Sequence, residues 1–122
     1  MLIMATILLV EDDEETLHAF RLLLEHAGYK VMLARNGQEA LAQILKIAVD
    51  LVITDWSMPC MDGVTLCRTL RNNPTFSRLP IVLMSANQAP TDEGLWHAFL
   101  QKPVSWPTIA QTVQSLVTVP RK

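Results

Sequence analysis

Asp50-Leu51-Val52-Ile53-Thr54-Asp55-Trp56-Ser57-Met58-Pro59-Cys60-Met61-Asp62-Gly63 is the stretch that decides the fold. The run from Asp50 to Asp55 is apolar in its middle and ends on an acid, which reads as a strand. A loop with Pro59 and Gly63 follows. Beyond it, Val64, Leu66, Cys67 and Leu70 mark one face of a helix that finishes before Asn72-Asn73-Pro74.

The same strand-then-helix unit recurs in both directions. Upstream, Thr6 to Val10 is a continuous apolar run, and Leu17, Phe20, Leu24 and Ala27 follow at spacings of three and four, with Gly28 placed to end that helix. Tyr29 to Ala34 reads as a strand, Asn36-Gly37 as a turn, and Ala40, Leu41, Ile44 and Leu45 as a second helical stripe. Downstream, Ile81 to Ser85 and Ala98 to Gln101 are strands. Trp106 to Val117 is a last helix, with Pro107 near its first turn. Alternation of this kind demands crossovers between parallel strands. Their right-handedness leaves a doubly wound α/β sheet of five strands with helices on both faces. In such sheets the site lies beyond the carboxyl ends of the strands.

The residues at those ends make chemical sense together. Glu11 and Asp12 follow the first strand, Asp55 ends the third, Ser85 ends the fourth and Lys102 follows the fifth. Three carboxylates in one place repel one another. A hard divalent cation such as Mg²⁺ relieves that repulsion and keeps a position open for a phosphate. Lys102 supplies positive charge and Ser85 a hydroxyl donor. The chemistry that fits is phosphoryl transfer onto a carboxylate. Taken singly, each residue has an ordinary reading: an acidic helix start, a turn-opening aspartate, a surface lysine. Their common position at one sheet edge argues against so many coincidences.

At these residues the sequence resembles the receiver domains of bacterial two-component response regulators. The matching pieces are Leu9-Val10-Glu11-Asp12-Asp13, residues 50–63, Leu83-Met84-Ser85-Ala86 and Lys102-Pro103. The resemblance implies a flavodoxin-like strand order, 2-1-3-4-5. It makes Asp55 the phosphoacceptor and gives Mg²⁺ to Asp12 and Asp55 directly, to Glu11 mainly through water, and to Ser57 through its backbone carbonyl. It makes Ser85 the switch hydroxyl, Lys102 the phosphate-binding lysine, Pro103 the partner in a cis Lys-Pro bond, and Phe99 the switch aromatic, here without the commoner tyrosine's hydroxyl. Ser57 and Asn87 fall at the two positions that tune dephosphorylation. The implied partners are a histidine kinase or phosphotransfer protein and a downstream protein target. The resemblance allows a dimer without fixing its mode.

One departure stands out. Only 16 residues, 86–101, separate Ser85 from Lys102, and they include Pro90 and Gly94. Once the last strand takes its share, two or three helical turns at most remain. A fourth helix in this segment is expected to be short, irregular or mobile, with the output surface rebuilt while the phosphate pocket stays intact.

Composition sets the outer bounds. With 122 residues, half of them hydrophobic and 18% charged, the chain is expected to form a single receiver domain over 1–122 with its core at about 5–118. That leaves no residues for a separate output domain. High apolar content at a net charge of −2 excludes intrinsic disorder, and also direct nucleic-acid binding driven mainly by charge. No run approaches the ~20 apolar residues of a membrane span, so no membrane insertion is expected. The apolar start lacks a signal peptide's basic flank and cleavage site, and the expected location is the cytoplasm. Cys60 and Cys67, seven apart, match neither a disulfide framework nor a zinc pair. His18, His26 and His97 are scattered, and Trp96 and Trp106 read as packing residues near the output face. Two alternatives to a phosphorylated switch are a constitutive receiver-like binding module and a small aspartate-dependent phosphatase. Against the phosphatase, Ser57 stands where a second carboxylate is needed.

Overall fold

A computed structural model describes residues 4–88 and 94–117. Five parallel strands, β1 (Thr6–Val10), β2 (Lys30–Ala34), β3 (Leu51–Asp55), β4 (Ile81–Ser85) and β5 (Ala98–Gln101), lie in the order β2-β1-β3-β4-β5. The helices are α1 (Glu14–His26), α2 (Gly37–Ile44), α3 (Gly63–Arg71) and α4 (Trp106–Val117). This is the doubly wound sheet and strand order expected from the sequence. A single 3-10 turn at Pro74–Phe76, not foreseen from the sequence, joins α3 to β4.

Strand side chains alternate between two cores. Leu8, Val10, Val52 and Ile81 join Ala40 and Ile44 of α2 and Leu66, Cys67 and Leu70 of α3. Ile7, Leu9, Leu51, Ile53, Val82 and Met84 join Leu17 and Leu24 of α1 and Ile109 and Val113 of α4. Both sheet faces are therefore dry, which is why β1, β3 and β4 are continuous apolar runs rather than alternating ones.

Three helices start at the carboxyl edge of the sheet, each with an Asx cap. The side chains of Asp13, Asn36 and Asp62 accept from the amides of Thr16, Glu39 and Thr65 at 3.0, 2.9 and 2.8 Å. Each cap satisfies an otherwise unpaired amide of a first turn. The Asn36-Gly37 pair is thus the opening of α2 rather than a free-standing turn. Gly28 ends α1 as expected, at φ +101°, where a side chain is disfavoured.

Between β4 and β5, residues 86–88 and 94–97 are not helical. The remainder of the proposed short helix, including Pro90, lies outside the described residues. Among the described residues, no helix is long and apolar enough to cross a membrane.

Candidate phosphoryl-acceptor site

The β1–β2 ladder runs one residue past β1, with Glu11 N–H donating to the Ala34 carbonyl at 3.0 Å. That bond fixes Glu11 at the sheet edge with its side chain buried, while Asp12 stays exposed. Glu11 Oε2 accepts from the Asp13 amide at 3.2 Å. Asp55, the last residue of β3, is 6% exposed. Its backbone is pinned on both sides. The Trp56 amide donates to Met84 O at 2.8 Å, and the buried Thr54 hydroxyl donates to the Asp55 carbonyl at 2.9 Å.

From the far side of the sheet, Lys102 N–H donates to the Ser85 carbonyl at 2.8 Å, extending the β4–β5 pairing. Its ammonium then reaches back across β4. Lys102 Nζ lies 2.7 Å from Asp55 Oδ1 and 3.1 Å from Glu11 Oε1. One carboxylate oxygen from each of Glu11, Asp12 and Asp55 falls within 4.8 Å of the others. The edge therefore gathers three acids under one ammonium, although the four residues span most of the sequence.

The electrostatics follow from burial and crowding. Burial raises the Glu11 carboxyl above its ordinary value, and the Asp55 charge adds to this; the Asp13 amide and Lys102 pull the other way. Burial by itself lowers the Lys102 ammonium, but its bonds to Asp55 and Glu11 outweigh that and hold it above the ordinary lysine value. Hard carboxylate oxygens at this spacing fit Mg²⁺, which binds through one or two carboxylates and keeps several waters.

Most of the remaining expected site residues lie at or just beyond the ends of β3, β4 and β5. Ser85 is buried at the end of β4, and its Oγ accepts from the Asn87 amide at 3.0 Å. Ser57, Ser85 and Asn87, with Trp56, Met58 and Asp62, line a cleft of about 240 Å³. The Lys102–Pro103 bond is cis. Phe99 is half-buried inside β5 opposite Leu83, before the strand's carboxyl end. A larger cleft, about 1000 Å³, opens around Asp50 and the 3-10 turn, at the other end of the strands from the carboxylates.

Sequence reasoning missed the residues that shape the backbone here. A Cβ on Gly63 would overlap the carbonyl oxygen of Asp55, so only glycine lets α3 start directly against the end of β3. Thr54 was legible only as a strand residue. The caps carried a usable signal, since an Asx residue stands immediately before each of α1, α2 and α3.

A sheet of this topology, with an acid cluster and a lysine at its carboxyl edge, defines a receiver-type signalling domain. The chain belongs to the response regulator receiver domain family of two-component systems, which matches residues 7–114. It is 30% identical over 115 residues to the polar-differentiation response regulator DivK of Brucella anthropi, covering 90% of this chain and 94% of that protein. Among solved structures it is similar to the signal receiver domain of a signal transduction histidine kinase from Syntrophus aciditrophicus, with a TM-score of 0.88 and 32% identity over 97% of this chain and 94% of that one. It is also similar to the response regulator TrrA of Thermotoga maritima in complex with Mg²⁺–BeF, with a TM-score of 0.84 and 25% identity over 93% of this chain and 99% of that one.

Proposed function

We propose that this chain takes a phosphoryl group onto Asp55 from a histidine kinase or phosphotransfer protein and thereby changes its affinity for a downstream protein, in the cytoplasm. The observation that carries the reading is the Lys102 bridge to Asp55 and Glu11 at the edge where three acids meet. A lysine ammonium has three donors and no acceptor, so Lys102 can hold both resting carboxylates and retain a donor for a phosphoryl oxygen.

In the proposed step an Asp55 carboxylate oxygen attacks phosphorus. The bond from phosphorus to the donor's imidazole nitrogen breaks, and its electron pair leaves with the imidazole, which takes up a proton. Asp12, Asp55 and the Ser57 carbonyl would hold Mg²⁺, with Glu11 acting through water. When bound, the ion offsets the repulsion between phosphate oxygens and the attacking carboxylate. Ser85 gives its hydroxyl to the new phosphoryl group, having served at rest as acceptor for Asn87 N–H. Phe99 is the aromatic that responds to this change, and Ser57 and Asn87 set the lifetime of the adduct. The Mg²⁺–BeF complex of the Thermotoga maritima relative supports the choice of cation.

Incubation with Mg²⁺ and acetyl phosphate tests the reading. A base-labile phosphoryl adduct on Asp55, absent from Asp55→Asn, is the expected result. No adduct with any donor would favour a constitutive binding module, and sustained turnover of outside phosphoesters a phosphatase.

A further inference from the structure

Gly37 opens α2 and is buried. Its amide donates to the Met61 carbonyl at 2.9 Å. The missing side chain matters equally. A Cβ at Gly37 would stand 2.7 Å from both Met61 Cγ and Met61 O, and 2.9 Å from Met61 Cβ. Only Gly28 and Gly94 among the described glycines have positive φ, so backbone freedom is not what this position needs. It needs close approach.

Met61 belongs to the loop between β3 and α3 that carries Ser57. The base of that loop is closed by Gly63 N–H donating to Trp56 O at 2.8 Å. Its conformation is specified rather than loose: Cys60, beside Met61, is held at φ 69°, a region residues with side chains seldom enter. Met58 and Met61 pack against the same core cluster as Ala40 and Ile44 of α2. Helix and loop are thus seated on one another, and Gly37 is a point of close approach between them.

We propose that Gly37 is a positioning residue for the phosphoryl-acceptor site: the start of α2 sets the loop from outside and so fixes the Ser57 carbonyl for the cation. The inference rests on the functional reading above. It also makes an unusual demand on helix α2. Alanine is the better helix former, so propensity alone would make Gly37→Ala favourable. The Met61 contact reverses that sign, because part of the overlap is with backbone and no rotamer change removes it.

The test is Mg²⁺ affinity by calorimetry, paired with the Mg²⁺ dependence of adduct formation from acetyl phosphate, on the full chain. Gly37→Ala should weaken Mg²⁺ binding about tenfold, as disturbing the support of a metal ligand generally does. It should raise the Mg²⁺ needed for phosphorylation, while saturating Mg²⁺ restores much of the adduct. Gln38→Gly, an exposed change that weakens the same first turn without touching Met61, should leave affinity within about twofold of wild type. If Gly37→Ala does not fold, Met61→Ala removes the side-chain part of the contact beyond Cβ and carries the same expectation of weakened binding. Wild-type affinity in a folded Gly37→Ala, or in Met61→Ala where that variant stands in, would overturn the inference, as would an equal loss in Gln38→Gly. Wild-type protein that binds no Mg²⁺ would instead overturn the functional reading, and this inference with it.

Discussion

His97 Nδ1 accepts two hydrogen bonds at 3.2 Å, one from the Ile81 amide of β4 and one from Arg71 Nη2 of α3. Neither partner can accept in return, so the ring must be neutral with its proton on Nε2. Arg71 Nε and Nη1 donate to the carbonyls of Leu95 and Phe76, each at 3.0 Å. Together they tie the strand entering β5 to the end of α3, beside the stretch where a helix was expected.

This pairing gives stability a pH dependence. Desolvation by the packing around the His97 ring, and then the Arg71 charge, hold its pKa below the ordinary 6.5. Well above 6.5, by about pH 7.5, the ring is neutral in folded and unfolded chains alike, and its contribution is complete. As pH falls from there through the lowered folded value, the unfolded chain takes the proton first and the contribution is lost. His97→Asn keeps an acceptor but does not titrate. The gap between wild-type and variant urea midpoints should narrow between about pH 7.5 and about pH 5.5. A constant gap across that window would refute the pairing.

Gly63→Ala should destabilise the fold by about 1–3 kcal/mol or more, because the added methyl meets the Asp55 carbonyl and not a movable side chain. Denaturant unfolding measures it. A change within about 0.5 kcal/mol of wild type would mean that the start of α3 is not seated against β3 as described.

Asp12 brings a third carboxylate to an edge that already holds Glu11 and Asp55. Asp12→Asn should therefore be at least as stable as wild type in a chelator. With Mg²⁺ at ten times its dissociation constant, wild type should gain about 1.4 kcal/mol, whereas the variant gains little. Thermal unfolding with and without Mg²⁺ reads the difference, and equal gains in both proteins would exclude Asp12 as a ligand.

The two thiols should behave oppositely. Cys60 is exposed, whereas Cys67 is buried in α3 and burial pushes its thiol up to about 12. A disulfide reagent should titrate one thiol in the native protein and both after denaturation. Cys67→Ser should cost about 1–3 kcal/mol by burying a hydroxyl among Leu66, Leu70 and Ile81. Rapid reaction of both native thiols would contradict that burial.

The strands were legible because each is a short apolar run and because both sheet faces are covered. The helices showed through Leu17, Leu24, Ile109 and Val113, which recur at the helical period and are buried. Less legible was anything that depends on a neighbour distant in sequence. Asn36-Gly37 has the composition of a turn, yet Asn36 caps α2 and Gly37 makes room for Met61. His97 looked like one of three scattered histidines until β4 and α3 were brought against it.

By itself, the sequence determined the order of elements and the acids, hydroxyl and lysine that end the strands, because apolar periodicity and residue chemistry are local properties. Only the tertiary structure decided that Lys102 bonds both Asp55 and Glu11, that Gly63 lies against the Asp55 carbonyl, and that Arg71 and Ile81 share one histidine nitrogen. Those relations join residues that chain spacing does not relate. They arise when crossovers lay five strands side by side and place their carboxyl ends within hydrogen-bonding distance.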